Sequence, residues 1–136
     1  MAGNVEDILY WKNKSEDCLD SAKFLYNKNF YSEAVTMAYY GLIYMIKALF
    51  TQDNVRAYKP TTMLTALGRN YVAAGKLGAS FHRSIMQVFD IRYKSDFEVH
   101  SAVEHETAAH ILQLTEEIKQ EIYRMLTENN AEENVS

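Results

Sequence analysis

The sequence predicts an all-α protein, and three observations carry that prediction. Apolar residues recur at three- and four-residue intervals through five stretches, the spacing that gathers them on one face of a helix. No stretch holds the sustained two-residue alternation, punctuated by Gly or Asn-Gly, that strands and hairpins need. The breaks in the periodicity, at Asn27 to Asn29, Gln52 to Pro60 and Gly75 to Gly78, consist of turn formers.

Each element follows from its own residues. The first helix is expected to start behind Asn4 as cap and run to about Asn27, along the apolar line Ile8, Trp11, Cys18, Leu19, Ala22 and Leu25. The second is expected from Phe30 to about Thr51. Its centre, from Val35 to Ile46, is apolar nearly all the way round, so it must be covered on several sides. The segment Gln52 to Pro60 reads as the longest loop, closed by the single proline, after which Thr61 or Thr62 can cap a third helix through Ala74. A fourth begins near Ala79 with Phe81, Ile85, Val88 and Phe89 on one face, and the next position on that face is Arg92. Ser101 to Glu104 has the form of a capping box for a fifth, whose stripe Val103, Thr107, Ile111, Leu114, Ile118, Ile122 and Met125 lasts to about Thr127.

With 136 residues, 48% of them apolar, the chain can bury a core without disulfides or metals. The organisation expected is one domain over residues 1–127 and an acidic, disordered tail over residues 128–136. The lone Cys18 cannot form an internal disulfide and no basic-apolar leader opens the sequence, which points to the cytoplasm. The longest apolar stretch, Ala34 to Phe50, falls short of the roughly 20 residues a bilayer demands and carries Lys47 among its tyrosines. It reads as a core helix, with no membrane association expected.

The net charge of −4 is unevenly spread: −1 over residues 1–50, +3 over 51–100 and −6 over 101–136. The middle third, with Arg56, Lys59, Arg69, Lys76, Arg83, Arg92 and Lys94, is therefore the expected surface for an anionic ligand. His105 and His110 are five apart, which is not the i, i+4 pairing of a zinc-binding helix, and Gly75 to Gly78 is too short for a phosphate loop. No metal and no cofactor are expected.

The segment Ala22 to Tyr26, followed by Phe30-Tyr-Ser-Glu-Ala-Val-Thr-Met-Ala-Tyr-Tyr-Gly41 and on to Lys47-Ala-Leu-Phe50, resembles the opening helical pair of HEPN domains. The stretch Phe89-Asp-Ile-Arg-Tyr-Lys-Ser-Asp-Phe97 resembles the Arg-x-x-Ala/Ser-Asp-Tyr signature of a small stand-alone branch of that family. The likeness covers roughly residues 10 to 126. It implies an antiparallel, up-and-down bundle of four long helices plus a shorter one, a homodimer, and a cleft holding an arginine with a nearby polar residue or histidine. Many members are metal-independent ribonucleases, often the toxin of a pair with a nucleotidyltransferase-like antitoxin; others only bind nucleotides or RNA.

The residues that resemblance singles out have matching chemistry. Metal-free RNA cleavage needs a base for the 2′-hydroxyl and a cation for the phosphorane, and His100 and Arg92 are of those types. On a continuing helix Asp96, at i+4, lies beside Arg92, and His100, at i+8, stays within about a quarter-turn of the same face. An Arg92–Asp96 helix-end ion pair with His100 merely in a loop is the plainer alternative. Tyr39 and Tyr40 are neighbours, so one faces the core and the other a different direction. The resemblance puts one of them in the Arg92 cleft, and Lys94 adds charge nearby.

Two functions, and a third behind them, follow. The first is a nucleotide- or RNA-binding module using Arg92, Asp96, Lys94, Tyr39 and Tyr40, alone or beside a nucleotidyltransferase-like partner. The second is a metal-independent endoribonuclease with Arg92 and His100 as its catalytic pair. Seven residues separate those two, against four to six in the cleaving members, and Tyr58 to Thr62 lacks the histidine that often opens the third helix of the branch; both features favour binding over cleavage. The third is a helical module that only assembles with other chains.

Overall fold

The computed structural model describes the backbone of residues 5–97 and 103–135 and the side chains of residues 5–94 and 103–126. Among them there is no strand. The elements are α1 (Val5–Asn27), α2 (Tyr31–Asp53), α3 (Pro60–Leu67) with a π-helical turn at Gly68–Val72, α4 (Ala79–Phe97) and α5 (His105–Val135).

The boundaries come from identifiable chemistry. Asn29 and Asn54 adopt left-handed backbone, φ 68° and 57°, where short polar side chains are tolerated. Around Asn29, the Phe30 N–H reaches Leu25 O at 2.9 Å and the Asn29 N–H reaches Tyr26 O at 3.0 Å. That is a Schellman closure. Asn54 repeats it at the end of α2, with Val55 N–H on Phe50 O at 2.9 Å, and Gly75, φ 75°, repeats it before α4, with Lys76 N–H on Tyr71 O at 2.8 Å.

Three expectations need correction. The third helix starts at Pro60 with Lys59 as its N-cap. Thr62 sits at N3, its hydroxyl accepting from the Lys59 N–H at 3.2 Å and donating to the Lys59 carbonyl at 2.9 Å. Nor does that helix run evenly to Ala74, because Ala73 N–H bonds to Gly68 O, five residues back. The His82 ring of α4 donates to Leu64 O at 2.9 Å just before this turn, and it packs against Gly68; such inserted contacts accompany π-turns. Finally, α5 continues past Thr127 to Val135, where Ala131 and three Glu favour the helix, three Asn do not, and no Gly or Pro stops it.

α2 is the central element. Val35, Ala38, Leu42, Met45, Ile46, Ala48 and Leu49 are completely buried beneath α1, α4 and α5. By length and composition α2 could cross a membrane, but two thirds of its apolar window, 67%, is buried inside the bundle. α1 lies antiparallel to it, with Ser15 Oγ donating to Gly41 O at 2.7 Å and Trp11 stacked on Tyr44. A Cβ at Gly41 would stand 2.7 Å from Leu19 Cδ2, so any larger residue at this crossing must displace the Leu19 side chain. α5 is tied to α1 by Glu16, which accepts from Tyr123 Oη at 2.6 Å and from Lys119 Nζ at 3.3 Å.

Candidate functional site

The site forms where the C-terminal half of α4 crosses the middle of α2. Ile85 and Val88 are fully buried, and they orient α4 so that the next residues along the stripe, Phe89 and Arg92, meet Tyr39. The Phe89 and Tyr39 rings pack edge to face, centroids 5.1 Å apart. The Arg92 guanidinium lies over the Tyr39 ring at 4.9 Å and the Tyr40 ring at 5.7 Å, and Arg92 Nη2 donates to Tyr40 Oη at 3.3 Å.

Both tyrosines therefore meet the arginine, each differently. Tyr39 is 8% exposed and supplies a buried ring face; Tyr40 is 36% exposed and supplies its hydroxyl. Neighbouring helical positions are 100° apart, so the pair clasps the guanidinium from two sides. A cation held over a desolvated ring and by a hydroxyl is oriented before any ligand arrives.

This arginine borders a cleft of about 350 Å³ between α3 and α4, lined by Tyr39, Pro60, Thr61, Leu64, Met86, Phe89, Asp90, Arg92 and Tyr93. Its walls are mostly apolar; Met86 is 47% and Tyr93 58% exposed. Lys94 does not line the cleft. It pairs with Asp90 at 3.1 Å, one turn back on α4. The backbone of α4 passes through Asp96, one turn beyond Arg92, but the Asp96 side chain and the whole of His100 lie outside the described residues.

The other histidines are occupied elsewhere. His82 bonds to Leu64 O, His105 to Tyr26 Oη at 2.6 Å, and His110 accepts from the Gln87 amide at 3.3 Å. Among the described residues no three His, Cys, Asp or Glu side chains converge as metal ligands. What the described groups offer is a fixed cation, a hydroxyl and apolar walls, a set suited to a phosphate attached to a flat, apolar body. Leu64, Met86 and Tyr93 were absent from the sequence-based site. Their signal was available in part, since Met86 and Tyr93 are large apolar residues off the core stripe of their helix.

The described residues define an all-α bundle with an arginine clasped by an adjacent tyrosine pair. Residues 8–126 match the HEPN domain, and the chain belongs to that family. It is similar to a UPF0332 protein of Thermotoga maritima, 30% identical over 90 residues, covering 66% of this chain and 68% of that one. Two proteins of Methanocaldococcus jannaschii described as candidate toxins are 25% identical over 99 residues (73% of this chain, 67% of theirs) and 28% identical over 92 residues (68% and 69%).

Proposed function

We propose that this protein is a nucleotide- or RNA-binding HEPN domain whose Arg92 receives a phosphate while the cleft between α3 and α4 takes the attached base. The observation that carries the reading is the Arg92 guanidinium, oriented by Tyr39 and Tyr40 at the edge of that cleft. The protein acts as a homodimer in the cytoplasm, in a toxin–antitoxin pair with a nucleotidyltransferase-like protein. The candidate-toxin description of the two archaeal relatives supports the pairing. Arg92→Gln tests the binding reading directly: affinity for labelled RNA should fall about 10- to 100-fold, the loss of charge-assisted bonds of roughly 1.5–3 kcal/mol. Unchanged affinity removes Arg92 from the site.

The second reading is a metal-independent ribonuclease with His100 moving protons beside Arg92. It is favoured by the same two relatives and by the engagement of His82, His105 and His110 elsewhere. On this reading the purified protein cuts RNA in a chelator. His100→Ala should then abolish cutting, a loss of about 10²- to 10⁴-fold, with RNA affinity nearly intact. No cutting by the unmutated protein leaves binding as the function.

A further inference from the structure

Beyond the Arg92 cleft, the face shared by α1 and α2 carries a ladder of rings and cations. Tyr40 stacks on Tyr44 with centroids 6.4 Å apart, and Tyr44 stacks on Trp11 at 5.7 Å, the planes within 14°. Lys47 Nζ lies 4.7 Å from the Trp11 ring centre and Lys14 Nζ 4.9 Å from that of Tyr44. The cause is spacing: Tyr40, Tyr44 and Lys47 stand at i, i+4 and i+7 on α2, and Trp11 and Lys14 at i and i+3 on α1.

The ladder runs into a second cleft. Trp11 and Lys47 line a hollow of about 290 Å³ together with Arg56 and the acid Asp7, and Arg56 also lines a neighbouring hollow of about 530 Å³ with Arg69 and Lys76. The charged residues around the larger hollow are Arg56, Arg69, Lys76 and Asp53, a net positive balance. Asp53 is itself held by the Tyr71 hydroxyl at 2.8 Å. Lys14, Lys47, Arg56, Arg69 and Lys76 make no ion pair with a carboxylate among the described residues. Cations that outnumber the acids around them repel one another, and a polyanion relieves that repulsion.

We propose that single-stranded RNA runs along this ladder, from Arg92 past Tyr40, Tyr44 and Trp11 to the basic hollow at Arg56. The inference rests on the RNA-binding reading above and extends it from one phosphate to a strand. From Tyr40 to Asn54 the path follows α2 for 14 residues, about 20 Å at 1.5 Å per residue. That is about six nucleotides at a strand spacing of 3.4 Å. The Tyr40 ring is exposed and Tyr44 and Trp11 are half-buried; rings for bases, with cations that have no carboxylate partner for phosphates, are what sequence-tolerant strand binding uses. A protein surface would be expected to bring carboxylates at set positions, and the flexible lysine stems over the rings give none of that geometry.

The test uses oligouridylates of 2, 4, 6 and 10 nucleotides and AMP, in chelator, with the full chain. Trp11 is the only tryptophan, so its emission reports on the ladder without a variant. The 6- and 10-mers should quench it, whereas AMP and the 2-mer should not. Affinity by anisotropy should climb to about six nucleotides and then level off. Lys47→Gln with Arg56→Gln should lower 10-mer affinity at least fivefold and leave AMP unchanged, while Arg92→Gln should lower both. Length-independent affinity, or a 10-mer that ignores the Lys47 and Arg56 changes, overturns the strand path. If AMP still binds through Arg92 in that case, the single-phosphate reading survives alone. Should Lys47→Gln instead shift the sedimentation coefficient with 10-mer affinity unchanged, the ladder is a contact between copies and the proposal falls.

Discussion

If Tyr39 and Tyr40 hold Arg92 ready for a phosphate, their removal should matter only while the arginine is present. Tyr40→Phe deletes one hydrogen bond, at 3.3 Å and at the weak end of the range. We expect a loss of about 0.5 kcal/mol, or about twofold in RNA affinity. Tyr39→Leu deletes a cation–ring contact at 4.9 Å on a side chain only 8% exposed, where such contacts approach about 2 kcal/mol. Part of that is stability rather than binding, since the Phe89 edge contact is lost as well, so about 1 kcal/mol, or about fivefold, should reach the affinity. The assay is a double-mutant cycle by anisotropy with labelled single-stranded RNA at one fixed salt concentration. On an Arg92→Gln background both tyrosine changes should cost nothing further. Equal losses on the two backgrounds would show that the Tyr40 hydroxyl and the Tyr39 ring act on RNA or on the fold independently of Arg92, and would refute their role in positioning it; the Tyr40 ring, which Tyr40→Phe retains, is not tested by this cycle.

Three further outcomes follow from the packing. Gly41→Val should destabilise the protein by about 1–3 kcal/mol in chemical denaturation, because its Cβ meets Leu19, and the penalty should shrink on a Leu19→Ala background. The Tyr123 hydroxyl, opposed by partial burial and helped by Lys119, holds the Glu16 carboxyl below its ordinary range. Its contribution to stability is thus present above the unfolded-state value, near pH 4.3, and is lost as pH falls through the lower folded value. Thermal melts of Glu16→Gln should accordingly lose less stability than the unmutated protein below about pH 4. Burial first, and then the Asp53 carboxylate, push the Tyr71 phenol up beyond the usual tyrosine range. Its contribution is complete below about pH 10 and is lost as pH rises from there towards the folded value. Alkaline melts of Tyr71→Phe should therefore lose less stability than the unmutated protein above about pH 10.

The elements that local chemistry decides were legible in the sequence. Asn29 and Gly75 stand in the two turns expected from composition, and both adopt positive φ. The apolar run on α2 is buried beneath three other helices, as an all-round apolar helix must be. What escaped depends on tertiary contact. The π-turn after Leu67 adjoins a ring that reaches over from α4, fifteen residues further along. Ser15 reads as a polar break in the α1 stripe, yet it is completely buried, because its hydroxyl has the Gly41 carbonyl to bond. At the site, Arg92 was legible as a charge continuing an apolar line. The wall that α3 contributes was not, since Leu64 carries no mark of facing a cleft rather than the core.

The all-round apolar centre of α2 requires cover on several sides, and a second copy, which the family resemblance implies, could have supplied part of it. The structure assigns the surface differently: α1, α4 and α5 of the same chain cover it, and Tyr40, at 36%, is the large apolar residue of the helix left substantially exposed. Support for the proposed dimer must therefore come from another face. Tyr58, Met86 and Tyr93 are 75%, 47% and 58% exposed; the last two line the Arg92 cleft, and Tyr58 borders the hollow that Lys47 shares with Arg56. A second copy seated on Met86 and Tyr93 would deepen the Arg92 cleft and exclude water from it, which strengthens a charge-assisted contact to phosphate. On that geometry dimer formation and ligand binding are linked: phosphate ligands that enter the cleft should favour the dimer, and the dimer should bind them more tightly by the same factor.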